Sequence, residues 1–592
     1  MSEAPPRVRT FCAIIPFDQV AGKQRSLGKG IIVQQSLPRH PSHDSEKEWN
    51  YGMNEKQEKL HGKDQDQIAS GAVLMIQGTA SDVGKSVIVT ALCRIFAQDG
   101  QRPAPFKSQN MALNSYVTPD GREIGRAQGI QAEACGIVAT TDMNPVLIKP
   151  TGDMHSQIVV HGRPYQHLSA SSYREEFLPQ AKPLVMEALG RLRAKHGIVV
   201  MEGAGSPAEI NLKQRDIVNM NLAEWADAPV ILVGDIDRGG VFAFLVGTLE
   251  LLEPQERARV KGFIINKFRG DLSLLQPGLD WLERRTGIPV LGVLPFLKDL
   301  EIEAEDSVVL DTYAIRPEKA ADKELDIAVI RYPRISNFTD FDPLGAEPDV
   351  SLRYVSKPSE LGCPDAVILP GTKDTIGDLK FLRDQGLEEA IRSLIEGGTQ
   401  VQLIGICGGY QMLGEQLLDP EAVESDEPRS ALGLGLLPLS TTFLPGKKTV
   451  RVHGQTIDGQ PVPLSPPDRR LPIEGYEIHA GSTRRLRDIS PLFTLKADVP
   501  EPEEAAATPH PEGAARADGR VFGTYLHGLF HNDAWRRSWL DGLRAGKGLK
   551  PLGVTFASSS RKEEAFDRLA GQVRRHLRMD LVYEIAGIRP KS

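Results

Sequence analysis

The 592-residue chain has few cysteines, and those it has follow no pattern. Cys12, Cys93, Cys135, Cys363 and Cys407 stand singly, without a C-x-x-C pair, which excludes a disulfide-stapled scaffold and offers no zinc-site spacing. No stretch approaches the ~20 apolar residues of a membrane-spanning helix, and the N-terminus lacks a charged flank followed by a long apolar run. Long Lys/Arg runs are missing too. With 70 basic against 78 acidic residues the formal net charge is -8, so nothing offers the positive stripe that a phosphate backbone requires. The expectation is a cytoplasmic protein with neither membrane nor nucleic acid as a partner. At about 100–200 residues per domain, the length allows two to four domains, each with its own core.

Residues 1–70 are polar and show no sustained hydrophobic period, which predicts a mostly disordered extension. From Ala72 short β-rich runs alternate with longer amphipathic stretches, the pattern of open parallel sheets covered by helices. The runs are Val73 to Ile76, Gly197 to Met201, Pro229 to Val233, Gly262 to Ile265 and Val290 to Val293. A second series contains Asp326 to Ile330, Ala366 to Leu369 and Val401 to Ile406. The fold class is therefore α/β, with two tandem open-sheet domains at 71–315 and 326–545, a linker at 316–325 and a C-terminal helical segment at 546–592. Ala497 to Gly519, crowded with Pro, Ala and Glu, reads as a solvated loop insertion. Lys562 to Leu577 has helical spacing and charged faces, predicting a helix on the outside of a domain.

The first chemical signal is G-T-A-S-D-V-G-K-S from Gly78 to Ser86, between a strand and a helix. Such a turn aims backbone N–H groups and the positive end of a helix dipole at one place, where polyphosphate binds. Gly78, Thr79, Ser81, Asp82, Val83 and Gly84 would form the cradle, Lys85 would neutralise the β/γ-phosphates of ATP, and the Ser86 hydroxyl would ligate Mg²⁺. Glu202, ending the strand in V-V-M-E-G-A-G, would emerge at the sheet's C-terminal edge as a second Mg²⁺ ligand. Asp235 and Asp237 in V-G-D-I-D-R-G-G divide evenly between a metal or substrate role and helix capping.

The second signal is G-I-C-G-G-Y-Q around Cys407, after the buried strand Val401 to Ile406. A sharp strand-to-helix turn lifts one side chain above the sheet, and glycines relieve its strain. The following helix N-terminus would favour the thiolate, and the N–H of Gly408 would serve an oxyanion hole. A cysteine nucleophile needs a base, and His527 in G-T-Y-L-H-G-L-F ends another short β-rich run.

These motifs resemble two known families. The P-loop has five residues rather than four between Gly78 and Gly84, as in dethiobiotin synthetase-like P-loop proteins. That likeness implies adenine recognition by Asn266 in F-I-I-N-K and a phosphate or substrate contact by Lys107. Cys407 and His527 resemble the pair of flavodoxin-like class I glutamine amidotransferases, which implies L-glutamine as amide donor, a thioester intermediate, and Gly371 in L-P-G-T-K-D-T as the other oxyanion-hole position. Those enzymes carry a glutamate two residues after the histidine, whereas this chain has Leu529, leaving open what orients His527.

Three further segments, P-F-K-S-Q-N-M-A-L-N-S from Pro105, E-I-G-R-A-Q-G-I-Q-A from Glu123 and M-N-P-V-L-I-K-P from Met143, resemble the signature of the cobyric acid synthase family. The likeness runs from about Val73 to about Leu577. It implies a corrinoid substrate, adenosylcobyrinic acid a,c-diamide, amidated at its b, d, e and g carboxylates in cobalamin biosynthesis, with Gln109, Asn110 and Asn114 as hydrogen-bonding candidates. Three alternatives stand beside it, one of them a nonfunctional amidotransferase domain kept as an interaction module, against which the intact Cys407, Gly371 and His527 argue. A cobyrinic acid a,c-diamide synthase shares both chemistries, but K-S-Q-N-M argues against it. A P-loop partitioning or scaffold ATPase would have no use for Cys407 and His527.

Overall fold

The computed structural model describes residues 71–589, apart from 151–154, 214–215, 298–301, 304–318, 399, 426, 467–469 and 499–507. The expectations for the extension at 1–70 and for the first residues of the linker lie outside the described residues.

The first sheet comprises β1 (Ala72–Gly78), β2 (Pro103–Phe106), β3 (Ile198–Glu202), β4 (Val230–Asp235), β5 (Val260–Phe268) and β6 (Val290–Pro295), in the order β6-β5-β4-β1-β3-β2 with every pairing parallel. Its central strands are apolar up to their C-terminal ends, at Gln77, Glu202 and Asp235, because both faces are covered. Val73, Met75, Val199 and Met201 pack into one core, while Leu74, Ile76, Ile198 and Val200 pack into another on the opposite face. Helix α1 (Lys85–Gln98) follows β1 and turns Ile88, Leu92, Ile95 and Phe96 onto the second of these cores. Helix α2 (Arg126–Ala134) is almost wholly buried and lies beside it.

The second sheet begins with β7 (Leu325–Ile330), β8 (Val350–Val355), β9 (Ala366–Leu369) and β10 (Gln402–Ile406), the last leading into the short helix α3 (Gly408–Met412). Next come β11 (Leu439–Thr456) and β12 (Pro472–Arg485), a long antiparallel pair in a separate sheet. Then β13 (Ala514–Ala515), β14 (Val521–Thr524) and β15 (Leu526–His527) complete the set. The order in the second sheet is β8-β7-β9-β10-β14-β13, parallel except for the edge strand β13. Because β15 pairs with β12, placing Tyr476 opposite His527, the hairpin sheet closes over the end of the open sheet.

Within Ala497 to Gly519, read as a solvated loop, residues 499–507 lie outside the described ones, and the structure corrects the reading for 508–519. His510–Glu512 pairs with Phe493–Ala497, and β13 pairs with β14. Glu512 is buried, accepting hydrogen bonds from the Thr524 hydroxyl at 2.5 Å and the Tyr525 amide at 2.7 Å. Burial, reinforced by the nearby Glu477 charge, pushes its pKa up to about 7. A glutamate that composition assigns to solvent instead braces the strand carrying His527.

The C-terminal helix is longer than its periodicity suggested and covers the first sheet. Helix α4 (Ser558–His576) and helix α5 (Met579–Ala586) place Phe566, Leu569, Val573 and Tyr583 in the same core as Leu74 and Phe96. Each such side chain contributes roughly 1.5–3 kcal/mol on full burial. Arg574 pairs with Asp99, and residue 292 must be Gly because a Cβ there would lie 2.0 Å from the His576 carbonyl oxygen. Among the described residues no helix is long and apolar enough to cross a membrane.

Candidate active sites

The loop between β1 and α1 winds tightly against β5. Gly84 has φ 96°, and a Cβ there would meet the Asn266 side-chain nitrogen at 2.2 Å, so only glycine fits. Asn266 Nδ2 donates to the Val83 carbonyl at 2.8 Å. The side chain that the family likeness assigns to adenine recognition thus also braces the loop. Lys85 folds back over the turn, its Nζ donating to the carbonyls of Ala80 at 3.0 Å and Gly205 at 3.2 Å. Ser81 and Asp82 are exposed at the tip, whereas Gly78, Thr79 and Val83 are buried beneath them.

Glu202 is the hub beside this loop. It is fully buried at the end of β3, and its Oε1 accepts from Ser86 Oγ at 2.8 Å and from Lys107 Nζ at 3.0 Å. Its Oε2 accepts from Gln131 Nε2, on α2, at 2.7 Å. A buried carboxylate is tolerable when a cation and full hydrogen bonding compensate its lost hydration. The sequence reading missed Gln131, which periodicity alone gives as one more inward position of a helix.

The other expected contacts divide. Asn110 is buried and donates to Gln128 Oε1 at 3.0 Å, Gln109 accepts from the Tyr173 hydroxyl, and Asn114 is buried in the same segment. Asp235 is a turn brace, accepting from the Asp237 amide at 2.9 Å and pairing with Lys267 at 2.9 Å, while Asp237 pairs with Arg269.

At the second site Cys407 has φ 51° and ψ −107°, a conformation that costs on the order of 1–3 kcal/mol and persists only where its surroundings fix it. Here the Cys407 amide donates to the Thr524 carbonyl at 2.8 Å, and the Cys407 carbonyl accepts from the Gln411 amide at 3.0 Å. A Cβ at residue 409 would fall 1.9 Å from the Leu369 carbonyl oxygen, so the turn can press against β9 only with glycine there. Gly408 lies against Thr372, immediately after Gly371, and a Cβ at Gly371 would approach the His527 ring to 3.1 Å. Both expected oxyanion-hole positions therefore border the same space.

His527 is fully buried, with the Tyr476 ring stacked on it at 5.1 Å. What orients the imidazole comes from the 3-10 turn Phe338–Phe341, which sequence reasoning did not connect with it. Nδ1 lies 2.6 Å from Asp340 Oδ2, and Asp340 Oδ1 accepts from the Gly528 amide at 3.1 Å. Leu529, where an acid would be expected, is buried in the apolar core. Burial alone would lower the imidazole's pKa, but the Asp340 carboxylate and then the Cys407 thiolate outweigh it and push the value up to about 10. A carboxylate that fixes the ring and favours its protonated form beside a thiol is an arrangement able to hold a thiolate–imidazolium pair.

A chain that joins a phosphate-cradling sheet to a sheet with this cysteine and histidine belongs to the ATP-using, glutamine-dependent ligases. Residues 74–309 match the CobQ/CobB/MinD/ParA nucleotide binding domain, and residues 326–535 match the CobB/CobQ-like glutamine amidotransferase domain. The cobyric acid synthase of Geobacillus kaustophilus is 51% identical over 518 residues, covering 88% of this chain and 98% of its own. Those of Desulforamulus reducens and Dehalococcoides mccartyi are 52% and 50% identical over 521 and 523 residues, again across 88% of this chain and 99% and 100% of theirs. The chain belongs to the cobyric acid synthase family.

Proposed function

We propose that the chain amidates the b, d, e and g carboxylates of adenosylcobyrinic acid a,c-diamide, giving adenosylcobyric acid, with ATP as activator and glutamine as nitrogen source. In this reading residues 71–315 form the amidoligase, 316–325 a linker, 326–545 the glutaminase and 546–592 a helical tail, all in the cytoplasm. Cys407 attacks the glutamine side-chain amide, His527 passes the proton to departing ammonia, and water then hydrolyses the thioester. The N–H groups of Gly371 and Gly408 receive the oxyanion. The observation that carries the glutaminase half is Asp340 on His527, which supplies the orienting acid missing from position 529.

At the other site the loop from Gly78 to Ser86 holds ATP, and Lys85 leaves its backbone carbonyls for the phosphates. Ser86 and Glu202 fit Mg²⁺, being a hydroxyl and a carboxylate 2.8 Å apart and hard oxygen donors of the kind this ion takes alongside water and phosphate. Bound there, Mg²⁺ would neutralise phosphate charge. Lys107 steadies the transferring phosphoryl group or the substrate carboxylate, which becomes an acyl phosphate open to attack by ammonia. Gln109, Asn110 and Asn114 line the acceptor side.

The test is mass spectrometry of the diamide after incubation with enzyme, ATP, Mg²⁺ and amide-labelled glutamine, alongside Cys407→Ala given glutamine or ammonium. Four label additions, lost in the variant with glutamine and restored by ammonium, are expected. Folded enzyme that hydrolyses glutamine yet leaves this corrinoid unlabelled would sink the substrate assignment.

A further inference from the structure

One side chain touches both halves of the molecule. Asn337 follows β7 in the left-handed region, at φ 53° and ψ 37°, where asparagine is among the few residues with side chains that sit comfortably. It is buried, and its Oδ1 accepts from the backbone amide of Ser115 at 3.0 Å. Its Nδ2 faces His527 Nε2 at 3.4 Å. Three residues further on, Asp340 holds the other ring nitrogen. A single short segment thus brackets the imidazole on both sides.

The Ser115 amide can only donate, so while it is docked it sets which end of the Asn337 amide points at the ring. That end is the NH₂ group. An NH₂ directed at Nε2 suits a neutral ring with its lone pair free and opposes a protonated Nε2, since two donors would then face each other. Asp340 favours the charged ring, and the Ser115-held amide works against it. Were Ser115 to withdraw, the amide could turn about its last torsion and offer Oδ1 to Nε2–H, favouring the imidazolium that accompanies a Cys407 thiolate.

Ser115 is well placed to report on the first site. It ends the segment that begins at Lys107, whose ammonium is on Glu202, which also accepts from Ser86 of the nucleotide loop. Its hydroxyl donates to Glu123 Oε1 at 2.6 Å and accepts from Lys149 Nζ at 2.7 Å. Glu123 in turn reaches across to Lys447 on β11 at 2.6 Å. Nucleotide or acceptor that re-pairs Lys107 pulls on a stretch of chain whose far end sets the Asn337 amide.

We propose that Asn337 is a positioning residue that couples the Lys107–Ser115 segment to the imidazole of His527, holding the glutaminase back until that segment moves. The inference rests on the reading of Cys407 and His527 as the glutaminase pair. Its test uses the full chain and follows iodoacetamide alkylation of the Cys407 peptide by mass spectrometry, with and without the Mg²⁺ complex of a non-hydrolysable ATP analogue plus the diamide corrinoid. In the wild type both ligands together should raise the rate by roughly fivefold or more, the range of ordinary site-to-site coupling. Asn337→Gly keeps the left-handed backbone and removes the amide, so its unliganded rate should match the liganded wild type and no longer respond. Asn337→Asp, with an acceptor at each end, should also lose the response and serves if the glycine variant folds poorly. A wild type that does not respond, or variants that respond as the wild type does, would overturn the proposal. Labelled-glutamine turnover on the same preparations separates this outcome from failure of the functional reading, because the alkylation response to the two ligands needs no amide formation.

Discussion

His527 Nδ1 and Asp340 Oδ2 lie 2.6 Å apart although 187 residues separate them in the chain. The pair fixes the ring, and Asp340, with Cys407 after it, raises the imidazole pKa from its ordinary 6.5 to about 10. A raised folded-state value means that the bound proton's stabilisation is fully present below about pH 6.5 and is lost as pH rises through about 10. Asp340→Asn should therefore lower glutamine-dependent turnover by roughly a hundredfold or more. It should also draw the alkaline limb of the glutaminase pH profile to lower pH, while ammonium-supported amidation continues. The pH–rate profiles with the two nitrogen donors check this directly.

Gly409→Ala tests the close approach behind the cysteine. The new Cβ would overlap the Leu369 carbonyl, which is backbone in the middle of the sheet and cannot move aside cheaply. A loss of about 3 kcal/mol is expected, the upper end for overpacking. Thermal unfolding of the variant should show it, and glutaminase should fall with it.

Glu202→Gln separates the two chemistries. The near-isosteric amide keeps the packing but removes the charge that Lys107, Ser86 and Gln131 share. Ammonium-supported amidation should drop by roughly a hundredfold, with half-saturation by Mg²⁺ moved to higher concentration, while unliganded glutamine hydrolysis does not fall. Titrating Mg²⁺ against both activities distinguishes a ligand from a mere brace, which would disturb the two together.

A purely structural counterpart lies beneath the second sheet, where Arg537 pairs with Glu347 at 3.0 Å and with Asp349 and Asp541 at 2.9 Å, all buried. Arg537→Met leaves those carboxylates short of a cation. The cost should be roughly 3–5 kcal/mol, the usual penalty for breaking a buried pair from one side. Calorimetry should register that loss, and KM for glutamine in the remaining folded protein should be unchanged.

What could be read from the residues was what repeats locally. The strands of both open sheets announce themselves as short apolar runs because both faces are buried, and the nucleotide loop and cysteine turn are contiguous motifs whose glycines have one geometric purpose each. Asp340 gave no such signal. It stands in N-F-T-D-F-D-P-L, where two aspartates are equally eligible, and only the folded chain brings one of them to His527. The hairpin of β11 and β12 was hidden for another reason. Its Pro445, Gly446, Lys447 and Lys448 look like a turn, but the register shift between Phe443 and Lys448 absorbs them inside one strand. Glu512 misled through its composition, since a Pro- and Ala-rich neighbourhood masked a carboxylate bound to the backbone of Tyr525.

The return of α4 and α5 to the first sheet bears on how the chain is made. Leu74, Ile76 and Phe96 share their core with Phe566, Leu569 and Val573, so this core, partly covered by α1 and α2, is completed only by residues synthesised after the glutaminase. A two-gene split between the two domains would put that cover on the wrong polypeptide. The ligase half would have to borrow it from its partner, so that its core would be complete only when the two products associate.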